Sequence, residues 1–379
     1  NKCSLFILIK MTFNHLVLIG GGHSNVLLMH KWLMQPNLMP NHPISIISRD
    51  SHLVYSAKFP SVIANLIPLE ESLIDIASFA KSAKVAFIQD EVKNIQFKQN
   101  NIIFQSRPAI SYSDLVINCG SRTKVSQQFE ELVQKKIACP IKPFYESYQY
   151  ILSEDKFDYE DELPFVIVGS GLAAVEIAFA LRKRWRFRPL ILVCDLKKIS
   201  DKFIFWLKKF KIILKPKINF IYKRILLCTG NAPHPWIENN YLRLDSRGRI
   251  ITNSTLRSEQ FSNIYAIGDC AYSGKSQLNS SGILAVKAVK RLSENIKNNL
   301  NRKKLKKWYP QKKGLQIVNL FNDSNQSAFA VYGKFIIGPN INLWKLKNKL
   351  DNDFLAKLKP PIMRIDSIKE NIDCRGCAS

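Results

Sequence analysis

At 379 residues, with 46% hydrophobic positions, 15 glycines and 17 prolines, the chain is long enough for two or three domains with proper cores. That composition excludes a disordered or fibrous protein. The formal charge of +26 arises from 56 Lys and Arg against 30 Asp and Glu spread along the chain, so it reads as composition and no nucleic-acid partner is expected. No stretch reaches the roughly 18 apolar residues that span a bilayer, and Ser4–Ile9 makes a poor signal peptide. Met11 stands just ahead of the first strand, so residues 1–10 read as an upstream extension.

His15-Leu16-Val17-Leu18-Ile19 is a short apolar strand that runs into Gly20-Gly21-Gly22 and a helical pattern from Ser24 to about Gln35. A second strand, Ile44–Ser48, follows. A loop punctuated by Pro60, a helix at 70–83 and strands near 85–105 come next, and Leu115-Val116-Ile117-Asn118-Cys119-Gly120 closes the block. After the charged linker Glu154–Glu162 the theme restarts with Phe165-Val166-Ile167-Val168-Gly169, a helix from Leu172 to about Arg184, and the strand Leu190–Cys194. Ile225-Leu226-Leu227-Cys228-Thr229-Gly230 closes that unit. Ile264-Tyr265-Ala266 then leads into Ile267-Gly268-Asp269 and a helix near 282–299. The basic run Arg302–Lys307 reads as a solvated face, and aromatics and short strands beyond 310 suggest a small further domain. Unbroken apolar strands alternating with helices predict parallel sheets covered on both faces. Most of the 8 cysteines end apolar strands, where Cys acts as a small hydrophobe, so a reducing cytoplasm is expected.

A glycine-rich turn between strand and helix binds a diphosphate because backbone N–H groups point at the anion and the helix dipole favours it. Gly20-Gly21-Gly22-His23-Ser24-Asn25 has the first two glycines of that fingerprint, Gly20 and Gly22, with Asn25 in the third place. Asp50 lies just after the second strand, where a carboxylate would take ribose hydroxyls, although Ser48 holds the strand end itself. Gly169-Ser170-Gly171-Leu172-Ala173-Ala174 is better formed, with Ala as an accepted small last residue. Asp195 follows the next strand and favours NADH, whereas Lys197 and Lys198 would attract a 2′-phosphate. Glu176 lies one turn into this second helix, as a plain helix residue or as a group beside a nicotinamide. Asp269 would accept sugar hydroxyls, or N-cap the following helix.

The order of these motifs resembles the pyridine nucleotide-disulfide oxidoreductase superfamily, and within it the type II NADH dehydrogenase-like branch. Over about Leu16–Lys359 the chain is most similar to flavoproteins fused upstream of selenide, water dikinase (selenophosphate synthetase). It shares Gly20-Gly21-Gly22-His23-Ser24, Ile47-Ser48-Arg49-Asp50, Tyr55-Ser56, Tyr112-Ser113-Asp114 and Trp308-Tyr309-Pro310-Gln311 with them. The tail Cys374-Arg375-Gly376-Cys377-Ala378-Ser379 is similar to the start of that kinase, in which Cys377 would hold the slot of the reactive residue. The resemblance implies an α/β fold with two Rossmann-like dinucleotide-binding domains, for FAD and NAD(P), and a small C-terminal α+β region. Residues 11–150 and 256–300 would form the FAD domain, 151–255 a shortened NAD(P) domain, 301–365 the small C-terminal domain, and 366–379 the kinase-like tail.

The resemblance further implies FAD held by Gly20, Gly22, Asp50, Gly120, Gly268 and Asp269, and NAD(P)H as co-substrate held by Gly169, Gly171 and Asp195. Glu176 would be the catalytic residue near the nicotinamide, and no metal is expected. The implied reaction is hydride transfer from NAD(P)H to the flavin and on to a small-molecule acceptor such as a quinone. A degenerate flavin-binding module and a sulfide- or selenide-handling flavoprotein are the alternatives. Contact with the inner face of a membrane would be peripheral, and a fused or associated kinase domain would link the chain to selenium metabolism. Four departures matter. No cysteine lies between Gly22 and Cys119, which excludes the family's disulfide relay; the branch's quinone-site Ala-Gln pair at the start of the last FAD helix is not evident around Ser280-Ser281-Gly282; the segment between Asp195 and Thr229 is short; and Lys58 stands in a loop where small or apolar residues are usual. A lysine there would stabilise a reduced anionic flavin or face water.

Overall fold

The computed structural model describes residues 14–158, 163–218, 222–238, 241–273, 282–310, 314–322 and 326–359. Its centre is a pair of parallel five-stranded sheets. The first runs in the order Ile264–Ala266, Asp114–Ile117, Leu16–Ile19, Ile44–Ser48, Ala86–Gln89. The second runs Ala138–Pro140, Ile225–Leu227, Phe165–Val168, Leu190–Val193, Ile212–Lys215. In each, the strand that enters a glycine turn is central, flanked by the next strand on one side and a later return strand on the other. That reversal of direction is the switch point at which such sheets bind ligands beyond their carboxyl ends.

The central strands are apolar on both faces because helices cover both. Leu16 to Ile19 are all buried, as are Phe165 to Ile167. The helix His23–Met34 packs its Val26, Leu28, Met29 and Trp32 into the first core, beside Leu292 and Ile296 of the helix Gly282–Leu300. The helix Leu172–Arg184 does the same for the second sheet, and its other side meets Val318, Leu320, Phe329 and Val331 of a C-terminal antiparallel sheet. That sheet, Gln316–Leu320, Ser327–Tyr332 and Phe335–Asn340, and the helix Ile341–Lys357 form the expected α+β region.

Three expectations change. Residues 70–83 are not one helix: a short 3₁₀ turn Leu69–Ser72 and a strand Leu73–Asp75 precede the helix Ile76–Ser82. The strand pairs with His52–Val54, and the Asp75 carboxylate accepts the Ser78 N–H at 2.9 Å, which starts the helix later than its apolar pattern suggests. The strand Ala138–Pro140, inside the expected span 11–150, belongs to the second sheet, so the chain crosses over near Arg122–Thr123. The segment from Glu154 is also more than a solvated linker. Glu154 is buried between Arg188 at 2.9 Å and Arg224 at 2.8 Å, and Arg188 itself is fully enclosed, its guanidinium over Phe165 and Trp185.

Removing one partner of such a buried pair leaves an uncompensated charge. Arg188→Ala is expected to lower the unfolding free energy by about 3 kcal/mol or more in urea denaturation. A loss below about 1 kcal/mol, the range of exposed ion pairs, would contradict this role.

Candidate functional site

The first glycine turn closes around one side chain. Asn118 ends the apolar run after Asp114–Ile117, and its Oδ1 accepts the N–H groups of Ser24 and Asn25 at 3.1 and 3.3 Å. Its Nδ2 donates to the Ile267 carbonyl at 2.7 Å. A Cβ on Gly22 or on Gly268 would collide with this amide, so both positions require glycine for close approach. Asn25, which weakened the sequence match, has a use of its own: its Nδ2 donates to the carbonyls of Ile19 at 3.2 Å and Gly20 at 2.8 Å, tethering the turn.

Beside this turn three polar atoms, His23 Nε2, Ser24 Oγ and Asn25 Oδ1, are buried without a hydrogen-bond partner. They stand at the N-terminus of a long helix, where a dinucleotide's diphosphate and sugar would supply acceptors and donors. The residues present therefore fit such a cofactor. His23 packs edge-on against Tyr55 at 5.3 Å, and burial pushes its imidazole down to about 4, with Asp269 opposing the shift and Lys142 reinforcing it. Asp269 faces Lys142 Nζ at 3.3 Å and the Ser121 hydroxyl at 3.5 Å. Gly120, at φ +69°, has open space where a side chain would be.

Asp50 is exposed and pairs with Arg49 at 2.8 Å, which also reaches Glu146 at 3.1 Å. Next to it a cleft of about 330 Å³ opens at the ends of the strands Ile44–Ser48 and Ala86–Gln89, lined by Arg49, Gln89, Asp90, Glu91, Gln105, Ser106 and Arg107. It lies at the carboxyl ends of these strands, the end of such sheets beyond which ligands bind.

At the second turn, Ser170 Oγ accepts the Asp195 N–H at 2.9 Å, joining the turn to the end of the next strand. The Asp195 carboxylate takes the Lys197 N–H at 3.1 Å and pairs with Lys198 at 3.4 Å. Gly171 faces open space. Glu176 turns toward the C-terminal sheet: its Oε1 accepts the Asn319 N–H at 2.8 Å, and burial raises its carboxyl's proton affinity. Lys347 and Asp351 of the C-terminal helix act on it electrostatically. Lys347 donates to the Ala57 carbonyl at 2.7 Å and pairs with Asp351 at 3.1 Å, while Asp351 accepts the Tyr55 hydroxyl at 3.0 Å.

Sequence reasoning missed Asn118, Lys142, Lys347 and Asp351. A polar residue directly after an apolar strand was the available signal for Asn118. The other three are ordinary surface types until the fold buries them.

Among the described residues the thiols of Cys139 and Cys228 are held in their neutral form, pushed up to about 12, each chiefly by burial, and Cys270 is 1% exposed. Among the described residues no cluster of His, Cys, Asp or Glu could hold a metal, and no helix is long and apolar enough to cross a membrane.

Fold and motifs together define an α/β protein with two Rossmann-like parallel sheets. Residues 190–291 match the family model described as pyridine nucleotide-disulphide oxidoreductase. The chain is 24% identical over 285 residues to the NADH dehydrogenase-like protein YutJ of Bacillus subtilis, covering 68% of this chain and 76% of that one. Among solved structures it is similar to the sulfide:quinone oxidoreductase of Aquifex aeolicus, with a TM-score of 0.72, 16% identity and 91% of each chain covered. NDH2 of Plasmodium falciparum, solved in complex with NADH, aligns with a TM-score of 0.66 at 11% identity, over 91% of this chain and 97% of that one. The chain thus carries the signature of the pyridine nucleotide-disulphide oxidoreductases over that segment and has NADH dehydrogenase-like relatives. The tail 366–379, with Cys374 and Cys377, lies outside the described residues, and these matches add nothing to its kinase resemblance.

The buried imidazole sets a pH dependence. Its folded value near 4 lies below the ordinary 6.5, so the unfolded chain binds the extra proton first as pH falls. The apoprotein is expected to keep this contribution above pH 6.5 and lose it between 6.5 and about 4, by about 3 kcal/mol at most. Denaturant titrations across that window check it: His23→Gln should flatten the slope, and an unchanged slope would refute the assignment.

Proposed function

We propose that the chain is an FAD-dependent NAD(P)H oxidoreductase that passes electrons to a small-molecule acceptor, with quinones the favoured class. The observation that carries this reading is the doubling itself. Two parallel sheets share the inner order of return strand, glycine-turn strand and the two strands that follow it, differing only in the edge strand, and the ladder of Arg122–Thr123 with Asn231–Ala232 joins the crossings between them. Support for donor and acceptor class comes from the names of the relatives, an NADH dehydrogenase-like protein and a sulfide:quinone oxidoreductase.

In this reading Gly20, Gly22, Asp50, Gly120, Gly268 and Asp269 hold FAD, and Gly169, Gly171 and Asp195 hold NAD(P)H. Bound FAD would supply the two-electron chemistry that no side chain offers. The N-terminus of the helix His23–Met34 would favour the diphosphate, and a neutral His23 would add a hydrogen bond without charge. Glu176 would hold a proton at its carboxyl beside the nicotinamide more readily than an exposed glutamate. Lys347 and Asp351 would keep the loop Tyr55–Ala57 against the C-terminal helix and exclude water. A cytoplasmic setting at the inner face of a membrane belongs to the same proposal, and the selenium link rests on the tail's resemblance alone.

A second reading, a flavin-binding module that does not oxidise NAD(P)H, is favoured by the short connection 216–224 in the second domain, where no strands of a meander occur among the described residues. Anaerobic addition of nucleotide separates the two. Bleaching of the flavin bands by NADH or NADPH is expected and names the donor; flavin that neither nucleotide bleaches leaves the module reading. Asp269→Ala should release FAD on purification, and full occupancy in that variant would sink the assignment of Asp269.

A further inference from the structure

Two crossings of the chain join the sheets, and one ammonium group lies where both meet the first sheet's second motif. Lys142 follows the edge strand Ala138–Pro140 of the second sheet. Its backbone N–H donates to Thr123 Oγ1 at 2.8 Å, fixing it against the outgoing crossing. Its Nζ lies 3.1 Å from Ser121 Oγ on that crossing and 3.4 Å from Asn231 Oδ1 on the returning one. It lies 3.3 Å from Asp269 Oδ2, in a pair whose side chains are 24% and 29% exposed.

We propose that Lys142 is a cofactor-holding residue contributed by the second domain, whose charge neutralises Asp269 and lets an anionic dinucleotide sit beside that carboxylate. The inference rests on the reading of the first sheet as the FAD site. Asp269 follows Gly268, which packs against Asn118, which in turn caps the helix at Ser24 and Asn25. A diphosphate bound at that helix end would come near Asp269, and two like charges so placed repel. His23, at the helix end itself, is influenced by both charges of the pair, so the pair acts there. Because the cation comes from the other domain, filling the first site and docking the second sheet become linked equilibria.

FAD titrated into the full-length apoprotein, followed by quenching of flavin fluorescence at several salt concentrations, tests this. Lys142→Gln should weaken FAD about tenfold at low salt, as loss of one charge-assisted contact does, and should flatten the salt dependence. Lys142→Arg should stay within about threefold of the native chain, since the charge is kept. An apoprotein melting temperature unchanged in Lys142→Gln separates binding from folding. If that variant does not fold, the native chain still decides: its affinity must fall with salt, and a flat response overturns the proposal. Native affinity and salt slope retained in Lys142→Gln overturn it while leaving the FAD reading intact, whereas a native chain that binds no FAD overturns both.

Discussion

The side-chain amide of Asn118 is the contact on which the first site depends. One oxygen caps two amides of the helix His23–Met34, and one nitrogen holds the carbonyl before Gly268. Three elements far apart in sequence, the return strand, the glycine turn and the second motif, are thereby fixed within hydrogen-bond distance. Each bond contributes about 1 kcal/mol net, but leaving those buried groups unmade would cost more, so the arrangement is held by the penalty of breaking it. Gly22 and Gly268 are glycine because this amide needs their space. The glycine pattern reports on the protein's own packing as well as on a ligand.

Much of the architecture was legible because it is local. Unbroken apolar strands ending in glycine gave both sheets and their central strands, and the helices after Gly22 and Gly171 start where expected. What was illegible is what tertiary pairing decides. Residues 70–83 carry a helical apolar pattern, yet a partner strand at His52–Val54 claims the middle of it. The Glu154–Glu162 run reads as a charged linker until Arg188 and Arg224 close on Glu154. Lys347 and Asp351 carry no signal in the sequence, and only the helix that holds them buries both against the Tyr55 loop. Glu176 reads from sequence as a plain helix residue or a group beside a nicotinamide, and neither reading places the C-terminal sheet whose Asn319 N–H it accepts.

The two domains differ in how they are completed. The first adds an antiparallel meander, Val92–Gln96, Asn101–Phe104 and Ile110–Ser111, and borrows the edge strand Ile264–Ala266 from beyond the second domain. The second is shorter but keeps a full five-stranded parallel sheet, so its economy lies in the connections and not in the frame that positions Gly169 and Asp195. Helix, loop and crossing residues from three parts of the chain then converge on the space between the sheets. There His23 is held neutral by burial, and the cations Lys142 and Lys347 each pair with a carboxylate, Asp269 and Asp351.

The central claim, that the first sheet is a flavin adenine dinucleotide site, is tested most directly by releasing the bound chromophore from purified protein by heat and identifying and quantifying it by mass spectrometry. The account expects FAD at close to one equivalent per chain. Protein that is colourless and cannot be loaded with FAD, or that releases FMN instead, would contradict it.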